Sequence, residues 1–237
     1  DVCASARGIF DESVAKKNSQ AFFSGVDFFV EDLGLVKSNG LLTRSVNYKS
    51  SDHDLDLSLS MAGKYQVQNV GPVLRVLEMT SKIFDVDFDL ACRGVERAVW
   101  PGRFELKSKN LILDGAHNVE AILVLLDSLK ELYPRLKFNF ICGILADKDW
   151  QRILDLLQPV AQSFYMVAID NVRSSQPKLL EKYALSRGGL VSGVGSAREA
   201  LSGRDEGVVT VVLGSLYLIG EALTILNDGK ALEIERI

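Results

Sequence analysis

The stretch ILDGAHN, residues 112–118, decides how this chain is read. Apolar residues run into Asp114, two small residues follow, and then come His117 and Asn118. An acidic residue at the tip of a buried strand, followed by a tight turn and a helix start, is a joint of parallel α/β architecture. Asn118 suits the cap of the next helix and Glu120 its first turn. A plain strand–turn–helix joint with a solvated histidine satisfies the same residues, so the neighbouring segments have to decide.

Working outward, five apolar runs recur after Trp100: NLILDG, FNFICGIL, FYMVAID, GGLVSG and GVVTVVLGS. Helical patterns over residues 119–132, 148–161, 176–186 and 196–202 separate them. That alternation predicts a mostly parallel sheet covered on both faces, with ligands at the carboxyl ends of its strands. Asp114, Asp147, Asp170 and Ser215 all fall at or just beyond such ends.

Before Trp100 the pattern differs. Residues 10–23 have helical spacing, and VDFFVEDLG and GLLTRSVNY have the composition of short strands. DLDLSLSMAG alternates strictly, which predicts a half-buried strand antiparallel to its predecessor. Residues 66–84 and 89–98 fit helices. The first is expected to bury Val73, Val76, Leu77, Thr80, Ile83 and Phe84, with Pro72 kinking or restarting it. PGRFELKSK fits a linker, which divides the chain into residues 1–100 and 101–237.

Composition narrows the function classes. The chain has 237 residues, 47% hydrophobic and 24% charged, with net charge −4. A sizeable core follows, and a nucleic-acid platform is disfavoured. No apolar run approaches the roughly 18 residues of a membrane span, and no signal peptide is visible. Cys3, Cys92 and Cys142 lack metal spacing, which argues against zinc and disulfides and fits a reducing cytoplasm. His53, in the polar turn SSDHD, is expected at the surface.

Five segments occur in order: GKYQVQN at 63–69, WPGRFE at 100–105, ILDGAHN, GILADKD at 143–149 and LGSLYLIGE at 213–221. Together they resemble the folylpolyglutamate synthase and dihydrofolate synthase family of the Mur ligase superfamily. The resemblance implies an α/β fold: a Rossmann-like C-terminal domain with helices on both faces, preceded by the last part of a central ATPase domain. It implies an ATP-dependent ligase that joins L-glutamate to a folate or dihydropteroate carboxylate through an acyl phosphate, with magnesium bridging the phosphates. No GxxxxGK[ST] loop is present, and SGVGS at 192–196 lacks the lysine. The chain is therefore expected to be a piece of the ligase, inactive alone, with its metal ligands and pterin site elsewhere. A cytoplasmic monomer with small-molecule substrates and no nucleic-acid or membrane partner completes the expectation.

The resemblance also assigns roles. Asn69 would contact adenine, although an asparagine at a helix start also bonds locally. Arg103 would reach the terminal phosphates, where a planar guanidinium grips oxygens well; a surface ion pair is the plainer alternative. Asp114 would accept from the ribose hydroxyls. His117 would orient or deprotonate the incoming amine, or serve structure alone. Ser215 would open a helix whose N–H groups hold a glutamate carboxylate, or simply cap it. Lys148 would hold the second carboxylate, or be solvated. The 99–104 strap would act as the hinge on which the domains close, excluding water from the acyl phosphate. Other readings are a peptidoglycan-precursor ligase, a non-catalytic binding remnant, and a nicotinamide-dependent oxidoreductase. The last lacks a GxGxxG fingerprint.

Overall fold

A computed structural model of the chain describes residues 4–38 and 41–228. Cys3 and Gly40 lie outside them. The chain divides into two compact units, Asp1–Ser60 with Tyr65–Ala98, and Met61–Lys64 with Val99–Ile237.

The first unit contains helix α1 (Ala4–Lys17), strands β1 (Phe28–Ser38), β2 (Leu41–Ser50) and β3 (Asp54–Leu59), and helices α2 (Gln66–Phe84) and α3 (Phe88–Arg97). The strands form an antiparallel meander in the order β1-β2-β3. The alternation of β3 is realised, with Leu57 and Leu59 buried and Asp54, Asp56 and Ser58 exposed. With Phe28, Val46, Tyr48, Val70, Leu74, Phe88 and Cys92 they form one core.

Four expectations need correction here. The first helix covers Ala4–Lys17 rather than 10–23. It stops where Asn18 turns left-handed, at φ 49°. Helix α2 spans Pro72 without a restart. Proline strands the carbonyl of Gln68, and both residues sit on the exposed side, where water can satisfy that oxygen. The buried face of α2 is also rotated: it carries Gln66, Val70, Gly71, Leu74 and Glu78, while Val73, Val76, Ile83 and Phe84 are exposed. Gly71 explains the rotation, because a Cβ there would lie 2.9 Å from Phe28 and Val30. The helix backbone presses on the strand at its narrowest side chain.

The last correction is His53. It is half-buried, and its Nδ1 donates to Glu78 Oε1 at 2.8 Å while its ring lies against Phe88, tilted by 36° with centroids 4.1 Å apart. Fully buried Glu78 also accepts from Tyr48 (2.9 Å), Ser50 (2.5 Å) and Arg75 (2.6 Å). Burial alone would raise the Glu78 carboxyl pKa, but the bonds from Ser50, Arg75, His53 and Tyr48 outweigh it and hold it below the ordinary value. Burial, aided by Glu78, pushes the Tyr48 phenol the other way, so it stays a donor.

The second unit is a six-stranded sheet in the order β4-β5-β9-β6-β7-β8. Its strands are β4 (Glu105–Ser108), β5 (Leu111–Leu113), β6 (Phe138–Cys142), β7 (Ala161–Val167), β8 (Val191–Gly195) and β9 (Thr210–Leu213). All neighbours are parallel except β4, which runs antiparallel along the β5 edge. Strand β4 lies inside the segment expected to be only a linker. Four residues are too few to display a period, so pairing with β5 defines it. The helices are α4 (Val119–Leu132), α5 (Trp150–Leu157, then a 3-10 turn), α6 (Pro177–Ser186), α7 (Ala197–Ser202) and α8 (Leu216–Leu226). Helices α7 and α8 cover one face, packing Ala197, Leu201, Leu218 and Leu223 against Leu113, Ile141, Val167 and Val212. The chain goes out through β6, β7 and β8, then returns to insert β9 between β5 and β6. That reversal puts the ends of β5, β9 and β6 side by side.

Among the described residues, no helix is long and apolar enough to cross a membrane. Cys92 and Cys142 are buried free thiols, and burial pushes the Cys92 thiol up to about 11.

The Glu78 cluster sets an acid limit. A carboxyl held below its ordinary pKa contributes stability above that value and loses it as pH falls through the lowered one. Resistance to urea should therefore fall on acidification below roughly pH 4. Glu78→Gln should cost about 3–5 kcal/mol at neutral pH and flatten that acid slope.

Candidate active site

The carboxyl edge of the second sheet is built around one buried carboxylate. Asp114 follows β5, and its N–H still donates to Val212 of β9 at 3.0 Å. Its side chain is withdrawn from solvent, with the residue 3% exposed. Oδ2 accepts from Phe104 N–H and Oδ1 from Ala116 N–H, each at 2.8 Å. Those donors immediately follow Arg103 and immediately precede His117. One carboxylate thus fixes the backbone beside both candidate functional side chains.

Further main-chain bonds complete the edge. Gly115 N–H donates to Gly102 O at 2.8 Å, Gly214 N–H to Ala116 O at 2.9 Å, and Gly143 N–H to Leu213 O at 3.2 Å. The 102–104 strap, the 114–117 turn, the start of the loop after β6 and the turn before α8 are therefore joined. Gly214 is required twice over: its φ is +106°, and a Cβ would lie 2.6 Å from Gly143 O. Phe104 is buried and left-handed, at φ 47°, an uncommon state for a bulky residue. The bond from its N–H to Asp114 offsets that strain.

Each candidate side chain can now be placed. Arg103 is half-buried, and its guanidinium has no hydrogen-bond or ion-pair partner among the described residues. The His117 ring is half-buried with Nδ1 2.8 Å from Gly115 O. A carbonyl only accepts, so Nδ1 carries a proton, and in the neutral ring Nε2 keeps a lone pair. Asn118 caps α4 by accepting from Ala121 N–H at 2.8 Å. Ser215 is 2% exposed and caps α8, accepting from Tyr217 N–H at 3.1 Å. Leu216 and Tyr217 beyond it are about half exposed, so that helix end is open to solvent.

Lys148 is engaged elsewhere: its Nζ lies 3.0 Å from Asp147, which Arg173 also approaches, at 3.8 Å. The hydrogen bond from Lys148 holds the Asp147 carboxyl below its usual pKa. Asn69 belongs to the first unit, in the opening turn of α2, where it is exposed and donates to Gln66 Oε1 at 3.1 Å. The sequence reading missed the part played by the Phe104 N–H, because a main-chain donor has no signature in side-chain identity. Among the described residues, no group of three or more His, Cys, Asp or Glu is placed to hold a metal ion.

Residues 102–216 match the glutamate ligase domain of the Mur ligases. A probable bifunctional folylpolyglutamate synthase/dihydropteroate synthase of Haloferax volcanii is 30% identical over 76% of this chain and 22% of its own length. The folylpolyglutamate synthase of Lacticaseibacillus casei is 29% identical over 74% of this chain and 42% of its own. The crystal structure of Thermotoga maritima folylpolyglutamate synthase superposes with a TM-score of 0.82 at 28% identity, over 96% of this chain and 53% of that one. The chain thus spans less than half the length of these two curated relatives. The matched domain, the relatives and the shared fold agree with the ordered motifs from Gly63 to Glu221: the chain belongs to the folylpolyglutamate synthase and dihydrofolate synthase family of the Mur ligase superfamily.

Proposed function

We propose that the protein carrying this chain is an ATP-dependent ligase that joins L-glutamate to a folate or dihydropteroate carboxylate. The observation that carries the reading is the Asp114 clamp, which fixes the backbone beside an unpartnered Arg103 on one side and beside His117 on the other. An unpaired, half-buried guanidinium suits the oxygens of a transferring phosphoryl group. ATP supplies the phosphoryl group that turns the substrate carboxylate into an acyl phosphate. The amine of glutamate then attacks the acyl carbon, the amide bond forms, and phosphate leaves.

In this reading Arg103 holds phosphate oxygens and offsets their charge. His117 Nε2 accepts from the attacking amine, and the Gly115 carbonyl keeps the ring's tautomer and direction. The open end of α8 receives one glutamate carboxylate. Ser215 already satisfies Tyr217 N–H, so the anion takes the neighbouring N–H groups. Lys148 takes the second carboxylate by exchange from Asp147, and Asn69 serves the adenine. Asp114 has its oxygens on main-chain donors, so its first task is to hold the strap and turn. In this reading the same carboxylate also meets a ribose hydroxyl of the nucleotide. Among the described residues no cluster fits magnesium.

The ligase reading is tested by assaying the intact protein with ATP, L-glutamate and pteroates, scoring glutamate-dependent ADP release and the amide product. Absence of both would overturn it. Arg103→Ala should lower kcat by at least about a hundredfold with the thermal midpoint unchanged. Asp114→Asn should destabilise the second unit by about 1–3 kcal/mol, because an NH2 group then faces a main-chain N–H. Amide exchange should accelerate at Phe104 and Ala116 in that variant, and not in the Glu78 cluster.

A further inference from the structure

The opposite edge of the second unit's sheet holds a cavity that the ligase reading does not use. At the amino ends of β6, β7, β8 and β9 a pocket of about 360 Å³ opens. Strand register sets Thr210 beside Asn139, and Asn139 beside Ser163. These residues lie two positions before Val212, Ile141 and Tyr165, so alternation puts them on the α7 and α8 face. The apolar face of the sheet therefore begins with a polar row.

Several donors in that pocket have no acceptor. Thr210 is 1% exposed, and its Oγ1 has no partner. Asn139 uses Oδ1 to accept from Ser163 at 2.8 Å, and its Nδ2 has no acceptor among the described residues. Arg204 reaches in from the loop after α7. Its Nη1 donates to Leu201 O at 2.9 Å, which fixes the guanidinium, while its buried Nε is unpartnered. Nη2 has only a 3.7 Å contact with Glu206, whose side chain is 82% exposed. The Nε–Nη2 edge is one that grips a carboxylate with two parallel bonds. Buried donors left without acceptors are rare in native proteins, and two of them, Thr210 Oγ1 and Arg204 Nε, belong to residues that line this one cavity.

We propose that this pocket binds a small-molecule monocarboxylate on the Nε–Nη2 edge of Arg204, with Thr210 Oγ1 and Asn139 Nδ2 as the remaining donors. Asp205 also lines the pocket, its Oδ1 accepting from Gly207 N–H at 2.8 Å. That second carboxylate disfavours a more highly charged anion such as phosphate, because only one cation faces the ligand. The site is at the other end of the strands from Arg103 and His117, so it stands or falls independently of the ligase reading.

The test is a titration of the ¹⁵N-labelled chain with sodium butyrate at constant ionic strength, read by two-dimensional NMR. Saturable shifts are expected at the amides of Asn139, Ser163 and Thr210 and at Arg204 Nε–H, with a Kd of about a millimolar. Butyramide and inorganic phosphate should give no saturable shift. Arg204→Lys keeps the charge and loses the fork, and should raise the Kd at least about tenfold. Thr210→Val keeps the shape, and should weaken binding while leaving the rest of the spectrum in place. Shifts that do not saturate, an equal response to phosphate, or an unchanged Kd in Arg204→Lys would each overturn the proposal.

Discussion

The working edge of the second unit depends on one buried carboxylate. Taking an ionised carboxylate out of water costs several kcal/mol, and the cost is recovered only where the oxygens find good donors. Asp114 finds them on the main chain, at Phe104 and Ala116. Main-chain donors do not swing away, so the carboxylate and two loops hold one another in a single arrangement. The left-handed Phe104 and the close approach of Gly214 to Gly143 follow from the same packing. Beside that clamp lies half-buried Arg103, whose guanidinium has no partner among the described residues.

A parallel sheet has two open edges, and this one treats them differently. At the carboxyl edge the reversal of strand order sets the ends of β5, β9 and β6 side by side, and main-chain bonds join the turns that follow them. At the amino edge the strands start together, and a polar row of Thr210, Asn139 and Ser163 lies under Arg204. In the first unit, polarity is buried in a different way. Glu78 gathers Tyr48, Ser50, His53 and Arg75 between helix and sheet, and every bond reinforces its ionised form.

Much of this was legible in the residues. The alternation of β3 and the strand–helix succession after Trp100 are set by burial periodicity, which is a local property of sequence. Asn118 and Ser215 were readable as caps because a cap acts within its own turn. Where α2, His53 and β4 depart from the expectation, a distant partner decided the outcome. The inward face of α2 was misjudged because the apolar count favoured Val73, Val76, Ile83 and Phe84. Gly71 and the satisfied Glu78 turn the helix the other way. His53 looked solvated in its polar turn, yet Glu78, 25 residues along the chain, draws it inward. Strand β4 is too short to show a period and exists through its pairing with β5.

The amino-acid sequence by itself determined the α/β class, the succession of elements and the family, because motif order and periodicity are written along the chain. It also singled out Arg103, Asp114, His117 and Ser215 as residues to watch. Only the tertiary structure decided what Asp114 does first, which N–H groups it holds, and that Arg103 is left unpartnered among the described residues. Those facts depend on main-chain donors and on contacts between segments far apart in sequence, and neither is encoded in the identity of any single residue.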